Sequence, residues 1–385
     1  MLPTNCNGGG WPYERKSPSA TPYMGTPAPS LAPAGTRKGR EHPGVRAGVK
    51  LMNFAAPLQA PPVTIPAQMS AAVVTAPHRL ELREVPVPVP GAHEVLVRLA
   101  GCGVCASNLP PWEGRPWFTY PLAPGALGHE GWGRVAAVGR EVTEFAPGER
   151  VAMLSGHAYA QYDVAAAGSL VRLPAALDGE AFPAEPLGCA CNILRRAEIG
   201  KDDVVAVVGV GFLGALLIQL ASAAGAQVLA LTRKPSALRI AAQMGAAHCL
   251  STDDHRPAID AVRQLTDGQF CDVVIEAAGE QEPLDLATEI TRERGRLVIA
   301  GYHQDGPRQV NMQLWNWRGL DVINAHERDP AVYLSGMRRA IGAVTSGLLT
   351  PAALYTHRFP LDQLDEALHL AAERPEGFMK ALIIL

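Results

Sequence analysis

The chain reads as an α/β protein in two parts, a β-rich first body followed by a parallel sheet wound with helices on both faces. Three observations carry that reading. Short alternating runs punctuated by Gly and Pro fill residues 69–175, strand-like and helix-like segments alternate over residues 203–325, and a glycine-rich turn, GVGFLG, opens the alternating half. In order, AAVVTA, LELREVPVP, EVLVRLAGCGV, GWGRVAAVG, ERVAML and AQYDVAA are predicted strands of a largely antiparallel sheet. Helical character is expected from Cys191 to Glu198. The doubly wound half then reads VVAVVG, a helix over 212–224, QVLALT, a helix over 236–244, HCL, a helix over 257–266, DVVIEAAG, RLVIAG and LDVINA. Helices near 331–345 and 361–373 and a last strand, KALIIL, follow.

Length and charge exclude several classes. At 385 residues the chain is long enough for two or three cored domains, so it needs no disulfide or metal staple. With 34 Lys+Arg against 37 Asp+Glu it has no broad basic field, and nucleic acid is not an expected partner. No membrane association is expected either. The uncharged stretch from Val204 to Thr232 is long enough to span a bilayer, but Gly209, Gly211, Gly214 and Gly225 divide it into strand, helix and strand. Seven cysteines, an odd number, point to reduced thiols or metal ligands in a reducing, cytoplasmic setting. Residues 1–68 hold 12 of the 33 prolines and seven basic residues without periodicity, and are expected to be a disordered extension or sequence upstream of a start at Met69.

GVGFLG follows the β-branched run VVAVV and opens an apolar helix, the context in which a G-x-G-x-x-G match binds a dinucleotide. Gly209 makes the turn, Gly211 admits a pyrophosphate to the backbone, and Gly214 permits close helix–strand packing. Phe212 and Leu213 begin the helix whose N-terminus faces the phosphates, and Ala278 and Gly301, after later strands, are expected to complete the cofactor wall. At the end of the second strand an acidic residue would bind the ribose of NAD. Thr232 stands there instead, followed by Arg233 and Lys234, so NADP is favoured over NAD.

GCGVCASN, GHEGWGRVAAVG and PGERVA, in that order before GVGFLG, resemble the medium-chain dehydrogenase/reductase superfamily, zinc-dependent alcohol and polyol dehydrogenase branch, over residues 69–385. The resemblance implies a β-rich GroES-like catalytic domain over 69–195, completed by 346–385, and a Rossmann domain over 196–345. By motif match Cys105 and His129 would be zinc ligands and Glu130 the acidic neighbour, while EPLGCACN makes Glu185 the third ligand. Cys102, Cys189 and Cys191 remain alternative ligands, Cys189 foremost. Thiolate, imidazole and carboxylate with an open fourth position form a catalytic rather than a structural zinc set.

The chain departs from its relatives in three ways. After PGERVAML there is no four-cysteine lobe, so one catalytic Zn2+ and no structural zinc are expected. Asn108 replaces a common Asp and would accept a hydrogen bond from a ligating imidazole through its amide oxygen. Pro110 stands where a relay histidine is often found, which leaves Ser107 without that partner. Trp315 and Trp317 are read either as substrate-facing or as an interface pair, His326 and Glu327 as hydroxyl-binding, and Trp112 and Trp117 as an aromatic mouth. The expected function is hydride transfer between NAD(P) and a secondary alcohol or ketone, with a polyol, cyclitol or sugar-like substrate and a dimeric or tetrameric assembly. A zinc-free quinone or enoyl reductase and a cofactor-binding protein without turnover are the alternatives.

Overall fold

The structure, a computed structural model, describes residues 64–385, so the expectation for residues 1–68 lies almost wholly outside the described residues. β1 (Gln68–Ala76) and β2 (Arg79–Pro86) form an antiparallel hairpin. β3 (Glu94–Gly103), the short helix α1 (Leu109–Glu113), β4 (Gly131–Val138), β5 (Arg150–Met153), β6 (Tyr162–Ala166) and β7 (Leu170–Arg172) follow. Helix α2 (Ala184–Ala197) leads out of this body.

The second half runs β8 (Val204–Val208), α3 (Phe212–Ala223), β9 (Gln227–Thr232), α4 (Pro235–Gln243), β10 (His248–Ser251), α5 (His255–Leu265) and β11 (Cys271–Glu276). It continues through α6 (Gln281–Glu289), β12 (Thr291–Ile299), α7 (Met312–Arg318), β13 (Asp321–Asn324) and α8 (Pro330–Thr345). The chain ends with β14 (His357–Pro360), α9 (Leu364–Glu373) and β15 (Ala381–Ile384).

The second half is a six-stranded parallel sheet in the order β10-β9-β8-β11-β12-β13. Its strands are apolar on both faces because both are covered. Val205 and Val207 of β8 join one core with α2 and α3, while Ala206 and Val208 join another with α5 and α6. The strand order reverses between β8 and β11, and such a switch point leaves a crevice at the carboxyl ends of the strands. The first half is a seven-stranded sheet into which the C-terminus returns, β15 pairing antiparallel with β3 and parallel with β14.

The sequence expectation omits α1, β7, α6, α7 and β14 and starts α2 too late. α6 was not anticipated between β11 and β12, since QEPLDLATE is short and its apolar spacing is broken by Pro283. α2 starts at Ala184, seven residues before the expected onset at Cys191, because Pro183 and Pro186 fall at its N-terminal end, where a missing N–H costs nothing. That extra length places Glu185 and Cys189 one turn apart on a helix face rather than in a loop. α2 is held against α8 backbone to backbone: a Cβ at Gly336 would lie 2.5 Å from the Gly188 carbonyl oxygen.

Candidate active site

A cleft of about 810 Å³ opens at the switch point, and the glycine turn and the Cys105–His129 region line the same space. The turn is built as its spacing requires. Gly209 has φ +99°, a left-handed conformation that disfavours any Cβ, and Gly214 sits where a Cβ would come within 2.0 Å of the Gly209 carbonyl oxygen. At Gly211 a Cβ would meet nothing within 4 Å, so this position faces open cleft. No side chain caps α3, whose first N–H groups are therefore free for an anion. This contrast predicts that Gly214→Ala lowers the melting temperature. Gly211→Ala should leave it unchanged and weaken cofactor binding at least about tenfold, near 1.4 kcal/mol, by titration.

Phe212, Leu213, Thr232, Arg233, Lys234, Ala278 and Gly301 all line this cleft. Two of them are engaged elsewhere. The Ala278 and Gly279 N–H groups both donate at 2.7 Å to the buried Glu276 carboxylate, which also meets His303 Nε2 at 3.0 Å. Arg308 in turn donates to His303 Nδ1 at 2.9 Å, so the loops after β11 and β12 are locked together. Lys234 is not a free cation, because its ammonium donates to the Arg374 carbonyl; burial, then the Arg374 charge, lowers its pKa. Arg233 keeps an exposed guanidinium, 3.9 Å from Glu280. Arg374 lines the same cleft, and no local signal connects a residue so far along the chain to this site.

At the other end, donor atoms of Cys105, His129 and Glu130 lie within 4.8 Å of one another. Cys105 caps the 3₁₀ turn after β3, and His129 and Glu130 immediately precede β4, so adjacent antiparallel strands bring them together. Burial disfavours the Cys105 thiolate, but the hydrogen bond and charge of His129 outweigh it and hold the thiol below its usual range. Burial likewise opposes the charge on His129, while Cys105 pushes its pKa up to about 10. The His129 ring is held by Nδ1, 2.9 Å from the Leu127 carbonyl oxygen. Asn108 does not accept from it. Its amide oxygen receives Tyr159 Oη–H at 2.8 Å and the Cys105 N–H at 2.9 Å, and it is the Nδ2 side that lies near the ring.

Glu130 is fully buried, with Lys380 Nζ at 2.7 Å on one carboxylate oxygen and no partner for the other. An unsatisfied buried carboxylate oxygen beside a thiol and an imidazole suits a divalent cation. Glu185 lies in the same cleft outside that tight set and accepts a hydrogen bond from Cys189 Sγ at 3.2 Å. Burial, then the Glu185 charge, pushes the Cys189 thiol well above its ordinary range, so of the two Cys189 is the protonated donor. Burial also raises the Cys102 thiol, which donates to the Gly103 carbonyl, and lifts Cys191 to about 11. Neither belongs to the donor set.

Comparison with known proteins bears on the family to which the chain belongs. The family described as alcohol dehydrogenase GroES-like domain matches residues 91–175, and the family described as zinc-binding dehydrogenase matches residues 213–335. The chain is 30% identical to an erythritol/L-threitol dehydrogenase of Mycolicibacterium smegmatis, over 83% of this chain and 98% of that protein. The chain belongs to the zinc-dependent medium-chain dehydrogenase/reductase superfamily. It is also 27% identical to a sorbitol dehydrogenase of Halalkalibacterium halodurans, over 75% of this chain and 91% of that one. A zinc-binding dehydrogenase of Sinorhizobium meliloti, solved with NADP, superposes with a TM-score of 0.72 at 26% identity, covering 83% of this chain and all of the other.

In this dehydrogenase the substrate end of the cleft departs from the aromatic mouth expected. Trp112 is buried and donates to Asp365 at 2.9 Å, and Trp117 is exposed away from the cleft lining. Trp315 packs on the β11–β12 core and donates to Thr288 at 3.2 Å, while Trp317 is 84% exposed. Neither lines the cleft, because α7 packs Trp315 on the core shared with α5 and α6, which spacing from RLVIAG does not reveal. The polar residues are better placed: His326, Glu327, Arg328, Gln304 and Arg115 line the cleft together with Ser107. Among the described residues no helix is long and apolar enough to cross a membrane.

Proposed function

We propose that this enzyme oxidises a secondary alcohol of a small polyol, or reduces the matching ketone, with NADP preferred over NAD and one catalytic zinc. The observation that carries the reading is the thiol, imidazole and carboxylate cluster opening into the cleft that holds the glycine turn. Cys105 and His129 would hold the metal with Glu185, while Glu130, charge-balanced by Lys380, turns its free oxygen to the same space. Bound there, zinc would supply a Lewis acid for the reacting oxygen, and the nicotinamide would supply or accept the hydride. The chain's own part is positional. Leu127 fixes the face that His129 presents, Ser107 offers a hydroxyl for the substrate proton, and the polar wall around His326 and Gln304 suits a polyhydroxylated chain.

A panel of polyols and ketones, run with both cofactors on zinc-loaded protein, tests the reading, and activity only on quinones or enones would overturn it. For the cofactor, Arg233→Ala should weaken NADPH about tenfold and leave NADH nearly untouched, the low end for a charge-assisted contact because Arg233 is 64% exposed. Thr232→Asp should shift preference to NADH by adding a ribose acceptor. We also propose a homo-oligomer joined at the sheet edge. Among the described residues β13 pairs only with β12 and exposes Val322 at the sheet edge, so Val322→Lys should shift the species seen by light scattering toward monomer.

A further inference from the structure

A carboxylate from near the C-terminus binds the start of α4, next to residues that line the cleft. Glu376 lies between α9 and β15, in the part of the chain that returns to the first sheet, yet its Oε1 accepts the Ser236 N–H at 2.6 Å in the first turn of α4. Arg239 reaches the same oxygen at 3.8 Å. The contact is reinforced on both sides. Gly377 N–H donates to Ser236 Oγ at 3.0 Å, and Lys234 donates to the Arg374 carbonyl. Residues 374–377 are thus stapled to residues 234–239 beside the part of the cleft that Lys234, Ser236, Ala237 and Arg374 line.

We propose that Glu376 is a specificity determinant that opposes the 2′-phosphorylated cofactor, occupying the amide and guanidinium donors that a 2′-phosphate would use. This rests on the reading above that the 2′ position lies beside Thr232, Arg233 and Lys234. A neutral ribose hydroxyl leaves the staple closed. A phosphate carries a charge of about −1.5 to −2 and cannot share two or three donors with a carboxylate, so NADP must displace Glu376 or bind against its field. Arg233 attracts the phosphate and Glu376 repels it, so Glu376 subtracts from the preference that the neighbouring cations set. Because both side chains are more than half exposed, the repulsion is screened and falls with added salt.

The test is titration of NADPH and NADH against the full-length wild type, Glu376→Gln, Glu376→Asp and Arg233→Ala. Glutamine keeps the length of the side chain and an acceptor for Ser236 N–H while removing the charge, so the melting temperature should hold. Glu376→Gln should tighten NADPH about three- to tenfold and leave NADH within twofold, with the gain shrinking in 0.5 M salt (roughly a 4 Å screening length). Glu376→Asp should restore the wild-type ratio. An unchanged NADPH/NADH ratio in Glu376→Gln, or equal change for both cofactors, would overturn the proposal and leave the contact a plain staple. If Arg233→Ala loosens NADPH selectively while Glu376→Gln is silent, this inference fails and the cofactor site stands. If Arg233→Ala is silent while Glu376→Gln tightens NADPH alone, the inference holds and the role given to Arg233 falls.

Discussion

Cys105→Ala and His129→Ala are each expected to abolish zinc binding and lower kcat by about three orders of magnitude, roughly 4 kcal/mol of transition-state stabilisation. Removing either donor leaves at most two of the proposed ligands, too few to hold a catalytic zinc with an open position. The loss should be chemical and not conformational. Cys105 and His129 flank strands of the first sheet and take no part in the hydrophobic cores, whereas the glycine turn follows β8 of the parallel sheet, so NADPH affinity should change little. Metal content by mass spectrometry, turnover and cofactor titration on the same preparations decide the matter. Retained zinc and rate in both variants would sink the metal site. Glu185→Ala should follow the same pattern, while Cys189→Ala should be mild, because burial and the Glu185 charge keep that thiol protonated. A costlier Cys189→Ala would move the third ligand to sulfur.

Lys380→Met is expected to be the most destabilising single change in the first body, by about 3–5 kcal/mol. The Lys380 side chain is only 6% exposed and meets a Glu130 carboxylate that is fully buried; taking away one partner leaves a buried charge with no compensation. Burial by itself works against the ammonium, but Glu130 and the thiol and carboxylate beyond it outweigh that penalty and raise its pKa above the ordinary lysine value. The sign follows. A lysine whose folded pKa is raised contributes its full stabilisation below the unfolded value near 10.4 and loses it as pH climbs through the folded one, so the effect should be complete at neutral pH. Lys380→Met/Glu130→Gln should recover much of the urea midpoint, since a neutral pair carries no buried charge. If the double variant is no more stable than Lys380→Met, the cost lies in lost packing over Phe212 instead.

Much of this protein is legible in residue order because the constraints are local. The turn after β8 needs Gly at 209 and 214 whatever else surrounds it, since φ at Gly209 and the 2.0 Å approach at Gly214 arise within six residues. Strands covered on both faces must be apolar throughout, so VVAVV and QVLALT declare a buried parallel sheet. The failures share a different cause. The expected helix starts at Cys191, whereas EPLGCACN already lies within α2, and the WNW spacing says nothing of which face of the sheet α7 covers. Asn108 was given an acceptor role toward His129, but Tyr159, 51 residues away, takes its oxygen.

By itself, then, residue order determined the fold class, the nucleotide turn and the donor types available for a metal, because glycine geometry, strand burial and ligand chemistry are properties of short segments. Only the tertiary structure decided how those groups are charged and shared: Lys380 on Glu130 across 250 positions, Glu376 on Ser236 across 140, Lys234 withdrawn to Arg374. Such pairings depend on where distant stretches of chain pack, and electrostatic coupling acts through space, so nothing in the spacing of the partners along the chain encodes them.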